Sequence, residues 1–210
     1  MHKTGLTGLT LWIALVLAVP AGHTAVLDEC GATDHCRALE LHNQVRKELN
    51  AGRLPNSPKP NPPVAMLVYD QALARTAYNW SAALCNTRRG HNSQRREHYI
   101  AHGGNPAHRW VGENIYFTTQ VLPNSDALAQ AVAAWAAEAR DYRYQPFKVM
   151  KTGHYSQLIW NTIDTIQHGK KVPRAVGCGV YRCSSGRYKT IVTCNYAPGG
   201  NIQGVVPYRI

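Results

Sequence analysis

The sequence predicts an α+β domain in which helices come first and an antiparallel sheet closes the chain. Three observations predict it. Apolar residues recur at helical spacing in residues 36–50, 69–85 and 125–142. Two β-prone runs, 175–182 and 188–196, flank the turn-rich break Cys183-Ser184-Ser185-Gly186-Arg187. Six cysteines in 210 residues all follow an N-terminal export pattern, which points to a disulfide-stapled fold.

The export pattern comes first. Lys3 supplies a positive start, residues 6–19 an apolar run, and Ala21 and Ala25 small residues for cleavage. Residues 1–25 are therefore read as a signal peptide and residues 26–210 as one secreted, extracellular domain. The apolar run is shorter than the ~20 residues a membrane span needs. The remaining length, about 185 residues, fits one well-packed domain better than two. The whole chain carries 23 Lys and Arg against 12 Asp and Glu, a formal charge of +11. Such a balance favours anionic partners, an acidic glycan or a membrane surface. With no nucleic-acid module recognisable, nucleic acid is not expected.

Each element follows in order. In residues 36–50, Ala38, Leu41, His42, Val45 and Leu49 share one helical face, and Gly52 stops the helix. His42 on that face reads as a core histidine bonded internally. Residues 54–63 are proline-rich and must be extended loop. A second helix places Leu73, Ala77, Trp80 and Leu84 in one stripe and turns Asn79 outward. Asn79-Trp80-Ser81 is then an N-glycosylation sequon. Residues 86–108, rich in Arg, His, Asn and Gly, read as a long basic loop. Ser125 is expected to cap a third helix carrying Leu128, Val132, Trp135, Ala139 and Tyr142, with Glu138 at its border. The final two runs form a hairpin; centring it on Gly186 sets Cys178 opposite Cys194, where they can bridge.

Five segments carry a family resemblance: Leu41-His42-Asn43, Gly112-Glu113-Asn114-Ile115-Tyr116, the helix from Trp135 to Tyr142, Gly153-His154-Tyr155-Ser156-Gln157-Leu158-Ile159-Trp160, and Cys194-Asn195-Tyr196-Ala197-Pro198-Gly199-Gly200-Asn201. In this order they resemble the CAP superfamily, which groups cysteine-rich secretory proteins, insect venom antigen 5 and plant pathogenesis-related proteins. The resemblance implies a three-layer α-β-α sandwich with an antiparallel central sheet, and a cleft holding His91, Glu113, Glu138 and His154. It also implies the disulfides Cys85–Cys183 and Cys178–Cys194, leaving Cys30–Cys36. Where many relatives carry one further cysteine pair, this chain has Val111 and Ala197.

Two imidazoles and two carboxylates suit an open divalent-metal site, with zinc as the cofactor such donors take. The preferred arrangement has the histidines on the metal and the glutamates orienting them. Tyr142, Tyr144 and Phe147 lie in an aromatic segment that resembles a sterol-binding loop of some relatives, so a sterol or fatty acid is a second expected ligand. Three functions follow. The first is a secreted binding protein with the metal cleft and the apolar site. A defence or signalling recognition protein acting through the basic residues 88–109 is the second. The third is a hydrolase, a serine- or metal-dependent peptidase or esterase, for which Ser156 two residues after His154 would be the nucleophile. No nucleophile elbow surrounds Ser156, so binding ranks ahead of catalysis.

Overall fold

The computed structural model describes residues 34–87, 90–149 and 151–210. The expected signal peptide and the Cys30 end of the expected Cys30–Cys36 bridge lie outside the described residues. The elements are α1 (Asp34–Asn50), β1 (Val68–Tyr69), α2 (Gln71–Leu84), α3 (Arg95–Ala101), β2 (Gly112–Thr118), α4 (Asn124–Ala137) with a 3-10 turn (Glu138–Arg140), α5 (Gly153–Ile159), β3 (Thr165–Gln167), β4 (Lys170–Val172), β5 (Ala175–Arg182) and β6 (Thr190–Ala197).

The central sheet runs β1-β5-β6-β2. Its three long strands pair antiparallel, and the two-residue edge strand β1 joins β5 in parallel. That parallel edge lay hidden in the sequence because two residues cannot display a period. The hairpin register pairs Cys178 with Cys194, and the two are disulfide-bonded.

Strand alternation sorts the side chains into three layers. Val176, Cys178, Val192, Cys194 and Tyr196 join one core with Leu49, Leu128, Trp135 and Leu158 from α1, α4 and α5. Their neighbours Ala175, Ile191 and Ala197 face the other way, into smaller cores with Leu73 and Leu84 of α2 and Tyr99 of α3. Each large side chain so buried contributes about 1.5–3 kcal/mol before entropy is charged. Gly177 and Gly179 let α2 lie directly on β5: a Cβ there would fall 2.2 Å from the backbone nitrogens of Ala74 and Tyr78 respectively. Cys85–Cys183 then ties the end of α2 to the end of β5 across a sequence separation of 98.

Two expectations need correction, and one further element was not anticipated. The basic loop contains the two-turn helix α3, whose Tyr99 is fully buried; seven residues with one buried ring show no stripe to read. Ser125 lies inside α4, because the helix begins at Asn124 behind Pro123 and takes no side-chain cap. The GHYSQLIW segment forms α5, nearly all of it buried, so it offers no amphipathic pattern. The proline-rich stretch is extended loop as expected.

Candidate functional site

Four different elements deliver the four cleft side chains. His91 comes from the loop between α2 and α3, Glu113 from the second position of β2, Glu138 from the turn ending α4, and His154 from the first turn of α5. Helix and strand geometry aims Glu113 and His154, while His91 sits on a loop and Glu138 on a turn.

The four resolve into two pairs. His91 Nδ1 lies 2.9 Å from Glu113 Oε1, and His154 Nδ1 lies 2.6 Å from Glu138 Oε1. An ionised carboxylate only accepts, so each Nδ1 carries the proton and donates it. In a neutral ring with that proton placement, Nε2 keeps its lone pair. The imidazoles are 58% and 39% exposed, while Glu113 is 1% exposed and Glu138 21%. The acids are therefore the sheltered members and the imidazoles the ones open to solvent.

Supporting bonds hold the acids in place. Glu113 Oε1 also accepts from the backbone N–H of Asn92 at 2.9 Å, and its Oε2 from Asn195 Nδ2 at 3.2 Å. Glu138 Oε2 accepts from the backbone N–H of Tyr155 at 3.0 Å. His154 stacks on Trp135, with ring centroids 6.1 Å apart and planes 15° from parallel. Asn114, next to Glu113 on the edge strand, donates to the carbonyl of His154 at 3.0 Å and so links the pairs. Sequence reasoning missed Asn92, Asn114 and Asn195 as supports and took Trp135 only as core.

Among the described residues, no three donor atoms of these four gather within 4.8 Å of one another. The arrangement is two imidazoles, each braced by its own carboxylate, with the acids as orienting groups. Donor atoms do gather at His42, Cys178 and Cys194. That group could hold a metal ion only with the Cys178–Cys194 bond reduced, because a disulfide offers no thiolate.

His42 is the buried counterpart of the cleft histidines. Its Nδ1 donates to the carbonyl of Ala38 at 2.7 Å and its Nε2 accepts from the Tyr196 hydroxyl at 2.8 Å. Burial, against the opposing pull of the Ala38 carbonyl, lowers its pKa to about 4. The ring is a neutral core group, as its place on the apolar face implies.

The remaining sequence candidates are placed as follows. Ser156 is 1% exposed, and its hydroxyl meets the Gly153 carbonyl at 3.1 Å and Asn201 Oδ1 at 2.7 Å. It is engaged with Asn201 and not with His154, so the geometry of a nucleophile and base is missing. Tyr142 and Phe147 are buried, edge-on to Tyr155 and Trp160. Tyr144 donates to the Tyr208 carbonyl at 2.7 Å. Tyr142 and Tyr144 form one wall of a surface hollow of ≈ 880 Å³. Asn79 is exposed, but Ser81 of the same sequon is fully buried, bonded to Gly179 O and Thr193 Oγ1. In the basic loop, Arg95 and Arg96 donate to the carbonyls of Val111 and His108, and Arg95 lies 4.7 Å over the Trp110 ring.

Comparison with known proteins bears on this geometry. The model of the CAP, cysteine-rich secretory protein family matches residues 39–196. A venom allergen 5 of Microctonus hyperodae is 31% identical over 181 residues, covering 81% of this chain and 68% of that protein. A venom allergen 5 of Vespa magnifica is 29% identical over 171 residues, covering 78% of this chain and 66% of that one. The solved structure of BmVAL-1 superposes with a TM-score of 0.58 at 19% identity, over 92% of this chain and 87% of its own. At that identity the structural likeness speaks for the fold.

Proposed function

This chain belongs to the CAP, cysteine-rich secretory protein family, and on that premise we propose that it is an exported binding protein whose cleft takes a divalent cation, zinc by its donor set, between His91 and His154. One observation carries the reading: each exposed imidazole has its Nδ1 committed to a carboxylate, and among the described residues its Nε2 has no hydrogen-bond partner. Neutral imidazole braced in this way by a carboxylate is how protein zinc ligands are oriented. Bound there, the ion would supply an exposed Lewis acid. The chain's own residues would hold two protons on the Nδ1 atoms and leave the two Nε2 lone pairs for the ion.

Export is supported by the two described disulfides, which suit an oxidising compartment, and by relatives that are venom proteins. A glycan at Asn79 would have to be attached before folding, since the Ser81 hydroxyl is sealed in the folded core. A sterol or fatty acid at the Tyr142–Tyr144 hollow is the second reading. It is supported by the size of that hollow and weakened by the commitment of all three aromatic rings to packing.

Calorimetric titration of zinc into the protein tests the first reading. Wild type should bind one equivalent at neutral pH, and His91→Ala/His154→Ala should lose it while its circular dichroism stays native. Equal binding by the variant, or none by wild type, sinks the proposal.

A further inference from the structure

A concave site that none of the four His and Glu residues lines lies where the proline-rich connection meets the segment after α5 and strand β4. It encloses ≈ 450 Å³. Its charged lining is Lys171, Arg174 and Arg209 against the single carboxylate of Asp164. Its apolar lining is Pro62, Pro63, Met66, Val172 and Pro173.

Arg174 is the informative member. Its side chain is only 6% exposed, an expensive place for a cation that is not fully bonded. All three of its hydrogen bonds leave from Nη2, to the carbonyls of Asn161 and Ile163 and to Asp164 Oδ1. Among the described residues, Nε and Nη1 take no protein acceptor. Asp164 is shared, since Lys171 Nζ also reaches it at 2.6 Å. Arg209 is exposed and makes no ion pair among the described residues.

A second buried cation stands behind the first. Arg46 of α1 is fully buried and, among the described residues, donates only to neutral oxygens, those of Ala65, Leu158, Trp160 and Asn161. Burial first, then the charge of Arg174, lowers its pKa to about 9. Two guanidiniums thus repel each other in a low-dielectric interior, and among the described residues Asp164, paired with Arg174, is the one carboxylate ion-paired with either. Residues 165–210 contain neither Asp nor Glu.

We propose that this cavity binds a small organic anion, its two-oxygen head accepting from the unused N–H groups of Arg174 and from Lys171 or Arg209, and its apolar body lying on Pro63, Met66 and Pro173. A guanidinium presents paired donors in a plane that matches a carboxylate, phosphate or sulfate. The apolar wall distinguishes an organic anion from an inorganic one, because only the former has surface to bury there.

Calorimetry at low salt with octanoate, octanol and sulfate as probes tests this. Octanoate should bind one-to-one, and Lys171→Gln/Arg209→Gln, two exposed changes, should weaken it at least tenfold. In His91→Ala/His154→Ala the octanoate affinity should stay at the wild-type value, which separates this site from the cleft. On 15N-labelled protein, octanoate should shift the Arg174 Nε–Hε resonance. Absent octanoate binding, undiminished binding to Lys171→Gln/Arg209→Gln, or an unmoved Arg174 resonance would overturn the proposal. So would octanol binding as tightly, which means apolar adhesion alone, or sulfate binding as tightly, which means a free inorganic ion.

Discussion

The two halves of the cleft reach the same pairing by opposite means. At His91–Glu113 the carboxylate is the fixed part: it is 1% exposed and held by the Asn92 N–H and by Asn195, while its imidazole, on a loop, is 58% exposed. At His154–Glu138 the imidazole is the better-fixed ring, stacked on Trp135 and rising from a helix, while Glu138 is partly open at 21%. The comparison teaches that a histidine can be oriented either by a buried acid beneath it or by an aromatic plane beside it. The first route puts the energy into buried hydrogen bonds and the second into packing.

The largest expected effect separates the acids. Glu113→Ala strands the buried Asn92 N–H and leaves the Asn195 amide only its bond to the Gly112 carbonyl, and should cost about 3 kcal/mol of stability in urea unfolding. Glu138→Ala leaves its partners within reach of water and should cost about 1 kcal/mol. Equal losses would break the comparison.

Acid should strike the packed half. His42 packs against Trp135, the ring that backs His154, and its pKa is lowered from 6.5 to about 4. The unfolded chain therefore takes up this proton before the folded one does. The contribution is complete above about pH 6.5 and is lost as pH falls toward 4, on the order of 3 kcal/mol in all. Urea midpoints followed from pH 7 to pH 4 should show this slope in wild type and a shallower one in His42→Phe, once the carboxylate background common to both is subtracted. A variant slope as steep as wild type's would show that the packed half does not depend on a neutral His42.

Smaller effects concern the cation. Glu113→Gln and Glu138→Gln should each weaken zinc binding by about 10–100-fold in calorimetry, because the amide no longer fixes the tautomer and basicity of its imidazole. The penalty should be greater for Glu113, whose partner His91 is exposed and stacks on no aromatic ring among the described residues. Smallest of all, Ser156→Ala should leave zinc affinity unchanged and cost about 1 kcal/mol for the lost Asn201 bond. A change in zinc affinity there would show that the Ser156–Asn201 contact reaches the cleft.

How legible all this was depends on period and distance. Helices α1, α2 and α4 each bury one stripe, so spacing alone revealed them, and a hairpin with a short turn fixes its own register, so Cys178 and Cys194 could be set opposite each other. Helices α3 and α5 could not be read that way, since one has a single buried residue and the other is buried nearly throughout. The four cleft residues were nameable only through motif resemblance, since their separations of 22 and 16 positions within each pair carry no local signal.

The sequence by itself determined the helical stripes, the closing hairpin, the basic balance and the chemical types available for a metal cleft, because these depend on composition and short-range periodicity. Only the tertiary structure decided that each histidine has its own acid, that Ser156 is spent on Asn201, that the aromatic segment is packed inward, and that Arg174 keeps donors open beside a cavity. Those facts arise where distant segments meet, and which hydrogen bonds a side chain makes there depends on neighbours that local sequence does not name.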